Sequence, residues 1–213
     1  MLDQFDANTQ RAFEMVLSGK VEQAFDVTQE SDELRDEYGR TSVGEKALLA
    51  RRLVEAGVRF LQCQAAFRLR PETGRTSTWD DHSVNAHIFK SYEEKVPVLD
   101  QAVSALIEDL YSRGLDKKVL FIFCGEFGRT PLIRNQDVSG RPGRDHWPQA
   151  MSVFLSGGGI PTGQVIGATN RLGEYATDRA VDFQDVFATL YRNLGIDVNT
   201  ATINDLNGRP QYL

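Results

Sequence analysis

Histidine is scarce in this chain, and two of its three copies stand beside carboxylates. His82 closes Trp79-Asp80-Asp81-His82, and His146 lies in Gly143-Arg144-Asp145-His146-Trp147-Pro148. Imidazole nitrogen and carboxylate oxygen are donors that proteins offer to divalent metals, and close spacing lets them converge without long side chains. Asp80 and His82 can therefore hold a divalent metal, or a cation that itself carries phosphate. The same letters also describe an aspartate-capped helix start with a surface histidine. Asp145-His146 has two readings as well: a metal ligand with its orienting carboxylate, or a loop tied by an ion pair. His87 falls off the helical face of His82 and reads as structural.

Glu126 stands out by position. Val119-Leu120-Phe121-Ile122-Phe123-Cys124 is a run of β-formers without alternation, as in a parallel strand covered on both faces. It breaks into Gly125-Glu126-Phe127-Gly128-Arg129-Thr130-Pro131 at the strand's carboxyl end, where open α/β sheets place their ligands. An acid there is functional or tightly paired, and Arg129 and Arg144 are the partners on offer. Both arginines also suit an oxyanion, because a guanidinium is a fork-shaped donor for phosphate or sulfate. Ser156-Gly157-Gly158-Gly159 lacks the Gly-Lys-Ser/Thr ending of a phosphate-binding loop and precedes Ile160-Pro161, so it reads as a tight turn. There is no Gly-x-Ser-x-Gly elbow and no cysteine pair at zinc-finger spacing.

The elements that must position these residues follow a repeated plan. Residues 1–40 read as a polar, helical lead-in. Phe5, Phe13, Val16 and Leu17 recur at helical spacing, and Thr28 or Ser31 caps a helix that Gly39 stops. Ser42 with Glu45 resembles a capping box, and Val43, Ala47, Ala50 and Val54 share the face of the helix that follows. Gly57 closes that helix, and Val58 to Cys63 reads as a strand. Ala65 to Thr78, with Arg68, Arg70 and Arg75, reads as a surface loop. After His82 a second helix carries Val96, Leu99, Val103, Leu106, Ile107 and Leu110 on a 3.6-residue period, ends near Gly114, and leads into the Val119 strand. Met151 to Leu155 is a third core strand, Gln164 to Thr169 a small hairpin or edge, and Val181 to Leu194 a last helix. Helix, glycine, strand, twice over, predicts one α/β domain over 1–213, a mostly parallel sheet flanked by helices.

Composition excludes several functions. Of 213 residues, 41% are hydrophobic, enough for a real core. The formal charge of −6 offers no long-range attraction to nucleic acid or anionic lipid. Cys63 and Cys124 each sit in an apolar run and read as buried free thiols, not a disulfide. No signal peptide opens the chain, and no apolar run approaches the ~20 residues of a membrane span.

Several of these stretches, taken in order, resemble one family. They are Arg35-x-x-Tyr38-Gly39-Arg40, Leu48 through Val58, Trp79-Asp80-x-His82, Gly125 through Pro131, Gly143 through Trp147, and Gly163 through Thr169. The set is similar to the domain-of-unknown-function 1501 proteins over nearly the whole chain. That resemblance implies an alkaline-phosphatase-like fold, related to sulfatases and phosphomutases, and hydrolysis of phosphate or sulfate esters, small or borne on glycans. It implies a divalent metal (zinc, manganese, magnesium or calcium) held by Asp80, His82, Glu126, Asp145 and His146, with Arg129 and Arg144 binding substrate. Phe127 stands where relatives have a histidine after the acid. The nucleophile and the first aspartate belong to an amino-terminal strand and helix with no counterpart here. The chain therefore resembles the carboxyl-terminal portion of a longer, exported protein, cytoplasmic if made as written. Lacking its first strands, the sheet is expected to present an edge for association. The alternative is a non-catalytic relative serving as a binding or cell-surface module.

Overall fold

The computed structural model of this protein describes residues 7, 9–10, 12–14, 17–67, 78–135 and 138–212. The chain divides into two compact units, Met1–Leu110 with Arg134–Gly143, and Tyr111–Ile133 with Arg144–Leu213. Of the predicted surface loop over Ala65 to Thr78, residues 68–77 with Arg68, Arg70 and Arg75 lie outside the described residues, as do Phe5 and Val16 of the lead-in, while Phe67 at its start is buried in the core and not on the surface.

The first unit is helical. It contains α1 (Lys20–Phe25), a 3-10 turn (Val27–Gln29), α2 (Asp32–Tyr38), α3 (Ser42–Glu55) and α4 (Ile88–Ser112) up to Leu110. Side-chain caps start the 3-10 turn, α2 and α3. The Asp26 carboxylate accepts from the Thr28 N–H at 3.1 Å, and the Ser31 hydroxyl from the Leu34 N–H at 3.2 Å. α3 is capped by Thr41, whose hydroxyl accepts from the Gly44 N–H at 3.1 Å. The expected Ser42–Glu45 box is not the cap. Thr41 has extended backbone ahead of the first turn, whereas Ser42 is already helical and its hydroxyl donates to the Ala66 carbonyl at 2.9 Å.

The apolar core of this unit is Val43, Phe67 and Ala102, with Ala47, Trp79, Val98 and Leu99 packed against it. Beside it lies a buried ion network. Arg51, only 1% exposed, stands 2.9 Å from Asp109, 3.0 Å from Glu30 and 2.6 Å from Glu55. The Tyr38 hydroxyl donates to Asp109 at 2.9 Å, and burial together with the Asp109 charge pushes that hydroxyl well above its ordinary value. Partial burial opposes ionisation of Glu30, but Arg52 and Arg51 outweigh it and hold the carboxyl below its ordinary range. The network ties α2, α3 and α4 together where apolar contacts alone would leave their relative angle loose.

The second unit is built from short ladders. β1 (Leu120–Phe123) pairs with β4 (Phe154–Gly157), from Leu120 opposite Gly157 to Phe123 opposite Phe154. β2 (Gly128–Arg129) pairs with β3 (His146–Trp147), β5 (Ala168–Thr169) with β6 (Ala176–Asp178), and β7 (Thr202–Asn204) with β8 (Pro210–Tyr212). Helix α5 (Phe183–Asn193) is held at its start by Asp185, whose carboxylate accepts from the Asp182 N–H at 2.9 Å. The glycine turn after β4 holds as a turn: the N–H groups of Gly158, Gly159 and Ile160 all bond to nearby carbonyls. None of those three remains to cradle a phosphate.

The architecture corrects the sheet expected from sequence. It is a mixture of helices and small sheets, compatible with α/β, but every described ladder is two-stranded and antiparallel. A parallel pair needs a crossover of a dozen or more residues, usually a helix. The described chain between Phe123 and Phe154 forms β2 and β3 and no helix, and it brings β4 back antiparallel to β1. Val58 to Cys63 belongs to no ladder among the described residues, so the first helix–glycine–strand unit ends without its strand. The two cysteines are free, as expected, but exposed where burial was expected. Cys124 lies just past β1 and Cys63 in the unpaired stretch, where no neighbouring strand covers them. No described helix is long and apolar enough to cross a membrane.

Candidate metal-binding site

In the first unit, Asp80 and His82 are brought together. His82 Nε2 lies 2.9 Å from Asp80 Oδ1, with both side chains partly accessible. Asn85 Nδ2 reaches the other oxygen of Asp80 at 3.4 Å. Donors of one tetrahedral zinc site, each about 2.1 Å from the ion, sit about 3.4 Å apart. The pair thus needs a movement of only a few tenths of an ångström to become two ligands of a cation. Among the described residues of either unit taken alone, no three ligating side chains converge.

Sequence spacing treats Asp80 and Asp81 alike; the fold separates them. Asp81 turns inward, 2% exposed, where Lys95 Nζ of α4 donates to its two oxygens at 2.7 and 2.9 Å. The same ammonium donates to the Thr78 carbonyl at 2.5 Å and lies 5.7 Å from the centre of the Trp79 ring. Trp79 in turn meets Phe67 and Tyr92 edge-on, at 5.3 and 5.8 Å. On the other side, the His82 carbonyl accepts from the N–H groups of Asn85 and Ala86 at 2.9 and 2.8 Å. Gly143 packs directly on this turn: a Cβ there would meet the Ser83 nitrogen at 2.0 Å. His87 lies apart from the pair in role, its ring edge-on to Phe89 at 6.0 Å.

The second unit positions the other sequence candidates. β2 and β3 set Arg129 opposite His146. His146 is exposed, its ring 4.1 Å from that of Phe127, and the Arg129 guanidinium lies 5.9 Å from the same Phe127 ring. Arg144 donates to the carbonyls of Thr130 and Arg129 at 2.5 and 3.0 Å. The Asp145 N–H donates to the Thr130 hydroxyl at 3.1 Å, and the Thr130 N–H to the Asp145 carbonyl at 2.9 Å. Arg144 and Thr130 therefore staple the loop that presents Asp145 and His146. Glu126 is exposed in the bend before β2.

Lys95 escaped the sequence reading, although a signal for it existed. It falls in register with Leu99, Ala102 and Leu106 on the stripe that α4 buries, and a lysine in such a stripe implies a buried anion. Asp81, next to two residues of ligating type, hid that anion in plain view.

Compared with curated proteins and with solved structures, the chain finds no match. The family comparison does match: residues 1–213 fit the family described as protein of unknown function (DUF1501). The chain belongs to that family.

Proposed function

We propose that this protein carries a divalent-cation site in which Asp80 and His82 supply two ligands. The reading extends to a metal-dependent hydrolase of phosphate or sulfate esters, of the alkaline-phosphatase and sulfatase kind. The observation that carries it is the Asp80–His82 pair, two donors of different type 2.9 Å apart on a loop braced from behind. When bound, such a cation polarises an ester oxygen and stabilises charge on the leaving group.

Zinc binding, read by calorimetry on the full chain, tests the first step. Binding near one ion per chain that is lost in Asp80→Ala and His82→Ala is the expected result. Wild-type protein that takes up no zinc, manganese, magnesium or calcium overturns the reading. Chelator-sensitive hydrolysis of aryl phosphate or aryl sulfate, lost in Asp80→Ala, supports the enzymatic extension, while metal binding without turnover points to the second reading. That second reading is a non-catalytic binding module. It is favoured by Arg144, whose guanidinium serves its own backbone.

A further inference from the structure

Behind the Asp80–His82 loop lies a buried cation, Lys95. Lys95 is fully buried on α4, fourteen residues from Asp81 in sequence. Its ammonium reaches three points of the loop at once: the Thr78 carbonyl, the Trp79 ring face and both oxygens of Asp81. Residues 78, 79 and 81 are thereby fixed from within the unit. Asp80, between them, keeps its carboxylate turned to His82. An ammonium has three donors and no preferred plane, which suits a carbonyl and a carboxylate converging from different directions.

Such a pair is a poor choice for stability alone. Two charges removed from water recover little net energy, and a well-packed apolar pair of similar size often does as well. What an ammonium adds, and an apolar pair does not, is direction. It specifies where the Thr78 carbonyl and the Asp81 carboxylate must lie, and hence which way the residue between them faces.

We infer that Lys95 and Asp81 are positioning residues for the Asp80–His82 ligand pair, acting on metal affinity through the placement of the loop. The inference rests on the metal reading above. Residues that orient metal ligands without touching the ion commonly change affinity by about 10- to 100-fold when replaced, and that range is expected here.

The test compares the full-length parent with Lys95→Met, Asp81→Asn and the double variant Lys95→Met/Asp81→Leu. Each is titrated with Zn²⁺ alone, followed by thermal melting. The double variant leaves no unpaired buried charge, so it recovers most of the melting temperature that the single variants lose. It still binds zinc at least about tenfold more weakly than the parent, because the anchor for Thr78 and Asp81 is gone. A double variant that binds zinc as the parent does overturns the inference and leaves a purely structural ion pair.

Hydrogen exchange without metal supplies a second readout. The Asn85 and Ala86 amides, which donate to the His82 carbonyl, exchange faster in the double variant, while amides within α3 keep their protection. Unchanged exchange at Asn85 and Ala86 overturns the positioning role. A parent that binds no zinc, with faster exchange in the variant, instead overturns the metal reading and leaves the bracing of the loop standing.

Discussion

At the scale of single residues, the informative contrast is between two neighbouring aspartates. Asp80 stays partly accessible and faces an imidazole, whereas Asp81 is buried on Lys95. Their spacing in sequence is the same kind of signal, and only the side of the loop each faces assigns the role. Lys95→Met leaves Asp81 buried without its cation and is expected to cost about 3–5 kcal/mol, measured by urea unfolding monitored by circular dichroism.

At the scale of elements, caps and close contacts decide where loops begin and where they rest. Thr41, not Ser42, starts α3, so Thr41→Ala is expected to lower stability by about 1 kcal/mol. Ser42→Ala removes a different bond, to the Ala66 carbonyl, and leaves the helix start intact. Urea unfolding of the two variants separates these roles. Gly143 has no room for a side chain, because a Cβ would stand 2.0 Å from the Ser83 nitrogen and 2.7 Å from the His82 carbonyl carbon. Both neighbours are backbone, so the turn itself must move. Gly143→Ala is expected to destabilise by about 1–3 kcal/mol and to weaken zinc binding with it. Wild-type stability in that variant would show that the turn yields without strain.

At the scale of the whole chain, the net charge of −6 sits over a first unit whose core is itself partly ionic. Arg51, Arg52, Glu30, Glu55 and Asp109 form a network that holds when its carboxylates are ionised. The lowered folded value of Glu30 gives the sign of the pH effect. Its contribution is fully present above the ordinary glutamate value of about 4.3, and is lost as pH falls through the lower folded value. Melting temperature is thus expected to fall steeply below about pH 4. Glu30→Gln lowers it at neutral pH and flattens the acid limb. An unchanged acid limb in that variant would show that other carboxylates govern the loss.

Much of the helical unit was legible beforehand, because its signals are local. The stripe through Leu99 and Leu106 and the stop at Gly39 depend on near neighbours in sequence, as does the turn at Gly157 to Gly159 in the second unit. The strands were legible as apolar runs but not as partners. Phe121 and Ile122 read the same beside a parallel or an antiparallel neighbour, and only the path of the chain back to Phe154 chose between them. The chemistry divides in the same way. Residue type and spacing alone singled out Asp80 and His82 as metal-ligand candidates and matched the chain to its family. Which carboxylate faces the imidazole, which is buried on an ammonium, and which arginine serves its own backbone were decided by the tertiary structure, because each depends on a partner far away in sequence.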